Sequence, residues 1–283
     1  VVVLSLPTED GELRMRGHRW HFSQPDLRAV LGLRTLLVAD EFTALAMAAP
    51  ALGPDECQRF GGGEALPGAV IGLLNVGENL EIAGLIPATH GWYVMPSNSA
   101  LVAFAPSDLR EQAVLRYCRR RYSHVSADLL VSNPGLTLIH QALSSHAGRD
   151  DTPLAAATIV GRALAASDPL CVDTLDCFCA MLGTVAAKLA VTLCTRGGIY
   201  IGGPVVARLG EFIARSPFRA RFDASGRPSS VAPHIPTLLI SARFPALSGA
   251  AALLSQHLAR QGDDAAQPHS TSDLTTELFH VHH

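Results

Sequence analysis

The chain is poor in charge, in aromatic residues and above all in lysine. Charged residues make up 17% of its 283 positions, and Phe, Trp and Tyr together 6%. Of 22 basic residues only Lys188 is a lysine. That bias fits a genome-wide preference for arginine and says little about function. The formal net charge is −3 and no basic block stands out. This excludes a nucleic-acid binder that relies on a broad phosphate-contacting face. Disorder over the whole length is excluded as well, because 48% of the residues are hydrophobic and can furnish a core. The length suits one large domain or two small ones.

No C-x-x-C pair occurs among Cys57, Cys118, Cys171, Cys177, Cys179 and Cys194, and no His pair completes a zinc pattern. Cys171, Cys177 and Cys179 fall in an apolar, helix-like run and read as buried free thiols in a reducing cytoplasm. The uncharged stretch 82–107 is long enough to cross a bilayer but contains Pro87, His90, Gly91, Pro96 and Asn98, which make it a poor span. The run 177–195 is interrupted by Lys188. The opening Val1-Val2-Val3-Leu4 has no basic n-region and reads as an interior strand, not a signal peptide. No membrane association is expected.

Strand-like runs alternate with helix-like ones. Strands are expected at 1–6, 13–18, 36–39, 69–74, 81–86, 199–201 and 237–241. Residues 69–74 and 81–86 read as a hairpin. Helices are expected at 25–30, 42–49, 107–122 with Ser107 as N-cap, 134–143, 168–193 opened by Asp168-Pro169, 208–214 and 247–261. The tail from Gly262 is polar and reads as disordered; a metal-binding role for its His280, His282 and His283 is not favoured. The alternation predicts an α/β architecture.

Several stretches read together carry a resemblance. They are Arg16-Gly17-His18-Arg19-Trp20-His21-Phe22-Ser23, Glu41-Phe42-Thr43-Ala44-Leu45-Ala46, Phe104-Ala105-Pro106, His124-Val125-Ser126-Ala127, Gly197-Gly198-Ile199-Tyr200-Ile201-Gly202-Gly203, Ser216-Pro217-Phe218-Arg219 and Gly226-Arg227. In this order and spacing they closely resemble bacterial glucokinases of the proteobacterial type, over nearly the whole chain up to about Gly262. The resemblance implies a ribonuclease-H-like, actin-like ATPase (hexokinase-type) fold. A small α/β unit would span 1–51, completed by a helix at 242–261, and a larger α+β unit would span 52–241. It further implies transfer of the γ-phosphoryl of Mg-ATP to the 6-hydroxyl of glucose, cytoplasmic location and a possible homodimer, with no resident metal held by protein ligands alone.

Carried over residue by residue, the resemblance makes Glu41 the catalytic base. It places Asp40, Asn98, Leu101 and Asp128 on the sugar, and Gly77, Glu78, Gly202 and Gly203 on the nucleotide. These same positions depart from the family's pattern. The family pair Asn-Asp is Asp40-Glu41 here, which sets the base carboxylate one methylene further out; misplacement on the ångström scale can cost about 10²-fold in rate. The two acids read equally well as caps of the helix that follows. The sugar motif Glu-Gly-Gly-His is Asn98-Ser99-Ala100-Leu101, and two partners each worth about 1.5–3 kcal/mol in hydrogen bonds to charge are lost. A further family glutamate is Asp128, which reads as a shortened sugar contact or as an ordinary solvated acid.

The phosphate turn Gly-x-Gly-Thr-Gly-Leu-Gly is Asn75-Val76-Gly77-Glu78-Asn79-Leu80-Glu81. Phosphate sites need N–H donors and cations, so carboxylates at 78 and 81 are repulsive there. Pro204 removes a backbone donor after Gly202-Gly203. Ser-Gly-Pro-Gly becomes Ser132-Asn133-Pro134-Gly135, a milder change, and Lys188 in the long helix reads as solvent-facing. The family's other phosphate loop would precede the start of this sequence. The expectation is a glucokinase-family protein with inactive or severely impaired phosphoryl transfer. The alternatives are a sugar-sensing or partner-binding module on the same scaffold and, more remotely, other chemistry with Asp40, Glu41 and Asp128 as acid–base or metal-holding carboxylates.

Overall fold

A computed structural model describes residues 2–3, 12–14, 21–150, 152–224 and 234–266. The elements in chain order are β1 (Val2–Val3), β2 (Glu12–Arg14), β3 (His21–Ser23), α1 (Gln24–Val30), β4 (Val38–Ala39), α2 (Glu41–Ala48), β5 (Cys57–Gly61), β6 (Ile71–Val76), β7 (Leu80–Ala88) and β8 (Gly91–Ser97). They continue with α3 (Leu109–Cys118), α4 (Ala127–Leu130), α5 (Asn133–His146), α6 (Ala156–Leu164), α7 (Pro169–Leu193), β9 (Ile199–Gly202), α8 (Pro204–Leu209), α9 (Phe212–Arg215), α10 (Phe218–Ala224), β10 (Thr237–Ile240) and α11 (Pro245–Ala266).

The central sheet has six strands in the order β5-β10-β9-β6-β7-β8. β6, β7 and β8 form an antiparallel meander; β9 lies parallel to β6 and β10 parallel to β9, while β5 closes the far edge antiparallel to β10. A meander followed by two parallel strands across the first is the ribonuclease-H-like arrangement, so the expected fold class holds. Two small pairings stand apart from this sheet, β1 with β4 in parallel and β2 with β3 antiparallel.

Both faces of the sheet are covered, which explains the continuous apolar runs in its inner strands. One face meets α7. Asp168 caps that helix by accepting from the Leu170 N–H, Pro169 follows, and Leu175, Phe178 and Leu182 are fully buried. This is the single helix among the described residues long and apolar enough to cross a membrane, and most of it is packed inside the protein. Five of the six cysteines are buried and unpaired, and Cys194 is exposed; burial pushes the Cys177 and Cys179 thiols up to about 12. Lys188 is exposed, as its sequence context suggested.

The other face meets α2, whose Phe42, Leu45 and Ala46 join Leu73, Leu85 and Ile240 in a second apolar cluster. Gly249 brings α11 onto α2 so closely that a Cβ there would overlap the Ala44 carbonyl.

The structure differs from the sequence reading in a few places. Asp108, not Ser107, caps α3, accepting from the Glu111 N–H at 2.9 Å. The region 208–214 is two short helices on either side of Gly210. The last helix continues to Ala266, and 267–283 lie outside the described residues, as do the stretches 15–20 and 225–233 that carry two of the resembling motifs.

Candidate functional site

The open ends of β6 and β9 meet at the β6–β7 turn. Gly203, just beyond β9, has φ +102, and a Cβ on it would collide with the Val76 backbone. Only glycine lets β9 turn into α8 this close to β6. Gly202 is buried, and a Cβ on it would press against Ile240 of β10 and meet Leu45 of α2. Gly77 sits opposite the Pro204 ring. The structure therefore brings Gly77, Glu78, Gly202 and Gly203 together at one corner.

The chemistry of that corner is set by carboxylates held by neutral donors. Asn133, the first residue of α5, donates its Nδ2 amide to Glu78 Oε1 at 2.8 Å, and its backbone N–H to the Gly77 carbonyl at 2.7 Å. Arg208 donates to Asn133 Oδ1 at 3.2 Å and to the Pro204 carbonyl at 3.0 Å. Asn75 donates its amide to Glu81 Oε2 at 2.7 Å. The Leu80 N–H, at the end of the turn, donates to Asp128 Oδ1 at 2.6 Å. The repulsion expected from the sequence is relieved in part, because Asn75 and Asn133 each satisfy one acid. Neither pairing was legible in the sequence; the one signal was that an asparagine had replaced a glycine at 133.

Asp128 thus ties α4 to the hairpin across 48 residues of chain. Asn98 and Leu101 lie in a short 3-10 turn after β8 (Asn98–Leu101), and both are exposed, Leu101 at 56%. Their segment runs beside α4: the Leu101 carbonyl contacts His124 Nε2 at 2.7 Å, and Ala103 bridges to Ser126. Asn98 and Leu101 are brought near the element that carries Asp128, but present one amide and one alkyl side chain to solvent.

Asp40 and Glu41 open α2. Asp40 is its N-cap, accepting from the Thr43 N–H at 2.8 Å and the Thr43 hydroxyl at 2.5 Å. Both carboxylate oxygens of Asp40 are therefore engaged, which realises the capping reading for that residue. Glu41 is exposed on the first turn, and its carboxylate makes no hydrogen bond or ion pair among the described residues. No hydrogen bond joins Asp40 or Glu41 to the β6–β7 turn or to Asp128. Among the described residues no group of three His, Cys, Asp or Glu side chains is placed to hold a metal ion.

Residues 1–257 match the glucokinase family. The bifunctional protein glk of Burkholderia pseudomallei (strain 1710b) is 45% identical over 269 residues, covering 94% of this chain and 41% of that protein. The chain thus spans about two fifths of the length of that relative. The glucokinase of Chromobacterium violaceum is 42% identical over 259 residues, covering 92% of this chain and 74% of that protein. Among solved structures, a glucokinase from an Antarctic psychrotroph superposes with a TM-score of 0.83 at 27% identity, covering 89% of this chain and 79% of that one. The corner built by β6, β9 and α5, the order of the six strands and this similarity along nearly the whole chain agree: the chain belongs to the glucokinase family.

Proposed function

We propose that this chain is a glucokinase-family scaffold that has lost effective transfer of the γ-phosphoryl group from Mg-ATP to the 6-hydroxyl of glucose. The observation that carries the reading is the Glu78 carboxylate fixed on Asn133 at the turn that resemblance assigns to phosphate. A polyphosphate there would meet the charges of Glu78 and Glu81 and find the Leu80 N–H already given to Asp128. Oriented N–H donors are what such a site uses, so the residues present do not fit the nucleotide. On the sugar side Asp40 and Asp128 are committed within the fold, and Asn98 and Leu101 bring no charged acceptor.

A second reading, retained glucose phosphorylation, is favoured by one observation. Glu41 is exposed and free to take a hydroxyl proton as general base. The reading keeps a small unit over 1–51 with the helix at 242–261 and a large unit over 52–241; the separate pairing of β1 with β4 supports that division. The unpaired thiols suit a cytoplasmic protein.

The test is calorimetric titration with glucose and then Mg-ATP, beside a coupled assay for glucose 6-phosphate. Tenfold excess over Kd would stabilise the fold by about 1.4 kcal/mol, so the absence of a thermal shift with Mg-ATP is informative. The expected result is neither heat nor product with Mg-ATP, and a larger response to Mg-ATP once Glu78→Thr and Glu81→Gly are combined. Glucose 6-phosphate made by the unaltered chain would overturn the proposal in favour of the second reading.

A further inference from the structure

β8 lies at the edge of the central sheet, and alternate residues of an antiparallel edge strand turn N–H and C=O away from the neighbouring strand. Trp92 fixes which residues these are: its N–H donates to Gln256 Oε1 at 2.9 Å, and its carbonyl accepts from Gln256 Nε2 at 3.0 Å. Trp92, Val94 and Pro96 therefore face outward. Gln256 lies on α11, 164 residues further on. Gly91 makes room for it: φ is +104 there, and a Cβ would collide with the Gln256 side chain. One turn along α11, the Arg260 guanidinium stacks on the Tyr93 ring, 4.8 Å from its centroid.

α11 buries little else. Over residues 245–261 only Gly249 and Ala250 are buried. Gly249 lies against the Ala44 carbonyl of α2, too close to admit a side chain. The helix is thus seated on α2 at one point and tied to β8 at another. Beneath α2 is the apolar cluster in which Phe42 and Leu45 meet Cys57, Leu85 and Ile240; Trp92 and Val94 pack against it. This cluster is separate from the larger core that α7 fills on the opposite face of the sheet. Regions with few buried apolar contacts open locally at a lower free energy than the core.

We infer that α11 is a strap over α2 and that Gln256 is its catch. Closed on Trp92, the catch holds α2, with Asp40 and Glu41 at its start, against the sheet. Released, it lets α2 and α11 lift together and uncovers the cluster beneath. Both polar atoms of the carboxamide must meet the same residue of β8, so the catch fixes one position of α11 where apolar contact alone would tolerate sliding. Two neutral hydrogen bonds in a half-buried place are a modest hold, so the catch opens well short of global unfolding. This inference does not depend on how the ligand turn is read.

Cys57 reports the opening, because it lies in the cluster under α2, whereas Cys177 and Cys179 lie in the larger core and Cys194 is exposed. N-ethylmaleimide labelling of the unaltered chain, read by peptide mass spectrometry, should modify Cys194 first, Cys57 next, and Cys177 and Cys179 last. Gln256→Met keeps the side chain's length and removes both hydrogen bonds. It should raise the Cys57 rate about tenfold and leave Cys177 and Cys179 unchanged. Gly91→Ala crowds the catch from the other side; it should act in the same direction alone and add little to Gln256→Met. A Cys57 rate unchanged by Gln256→Met, or one that rises only together with those of Cys177 and Cys179, would overturn the inference, as would full additivity of the two substitutions. A measurement on the unaltered chain keeps the inference open to failure if the variants do not fold. Amide exchange at Trp92, Met47 and Ala48 should report one common opening, more frequent than that at Tyr200. Exchange at Trp92 as slow as at Tyr200, or unrelated to that of α2, would overturn the strap.

Discussion

Two groups of acids in this molecule face opposite circumstances. Asp108 and Glu111, at the start of α3, meet a full cation. Arg221 of α10 donates to Asp108 Oδ2 and to Glu111 Oε1, each at 2.7 Å, and the Ser107 N–H donates to the remaining Glu111 oxygen at 2.6 Å. Glu78, Glu81 and Asp128, around the β6–β7 turn, meet two amide side chains and one backbone N–H. Arg208 reaches them only through Asn133. The acids of α3 share one cation inside the fold, whereas the acids of the turn meet only neutral donors near the surface. The acids that clamp α3 to α10 are therefore separable from the acids around the β6–β7 turn.

Arg221→Met is the most severe way to break that comparison. The Glu111 side chain is fully buried and Arg221 nearly so, at 0% and 18% exposure. Removing one partner of such a pair leaves an uncompensated buried charge and costs about 3–5 kcal/mol. Burial already pushes the Glu111 carboxyl up, with the Arg221 charge opposing it, so the variant should take up a proton at Glu111 in the folded state. Thermal denaturation followed by circular dichroism should show the loss, and adding Glu111→Gln should recover part of it. A Tm unchanged by Arg221→Met would mean that the α3–α10 clamp does not stabilise the fold.

Asp128→Ala applies the same operation to the turn and should cost less. It removes one hydrogen bond to a charged acceptor, of order 1.5–3 kcal/mol, in a half-buried place where water can replace it. The effect should be local. Hydrogen exchange at Leu80 should accelerate while the Tyr200 amide in the central sheet keeps its protection. Loss of protection in both together would show the turn to be part of the cooperative core, and the contrast between the two acid groups would fail.

The same contrast separates what the sequence discloses from what it hides. α7 was legible because Asp168-Pro169 is a local start signal followed by a long apolar run. So was its end at Leu193, although the residue that terminates it is Cys194, a non-glycine residue with φ 52. β8 was hidden because Pro87, Gly91 and Pro96 break the pattern of a strand. Each is tolerated for a topological reason: Pro87 lies past the end of the β6 ladder, Gly91 admits Gln256, and Pro96 faces the open edge. β5 was hidden because Gln58, Arg59 and Gly61 form no apolar run, and its place is set by pairing with β10. At the site, residue types were legible and partners were not. Whether Glu78 repels a ligand or is held within the fold depends on Asn133, 55 residues away, and no local rule connects them.

The smallest expected effect concerns a third circumstance, a titratable group with no partner at one of its atoms. His140 on α5 is buried at 5% exposure, and its Nδ1 has no hydrogen-bond partner. Burial pushes its pKa below the usual value; the Asp168 charge opposes that shift and the Arg162 charge adds to it. The sign follows from which state binds the proton. In the unfolded chain His140 protonates as the pH falls through about 6.5, while in the folded chain it stays neutral to lower pH. The unfolded state then binds more protons, and stability falls as the pH is lowered. The contribution is fully present above about 6.5 and is lost progressively below it. Urea denaturation at steps from pH 7.5 to 5.5 should show this decline, and His140→Gln should flatten it without changing the slope of the urea dependence. An equal decline in the His140→Gln variant would assign it to other groups.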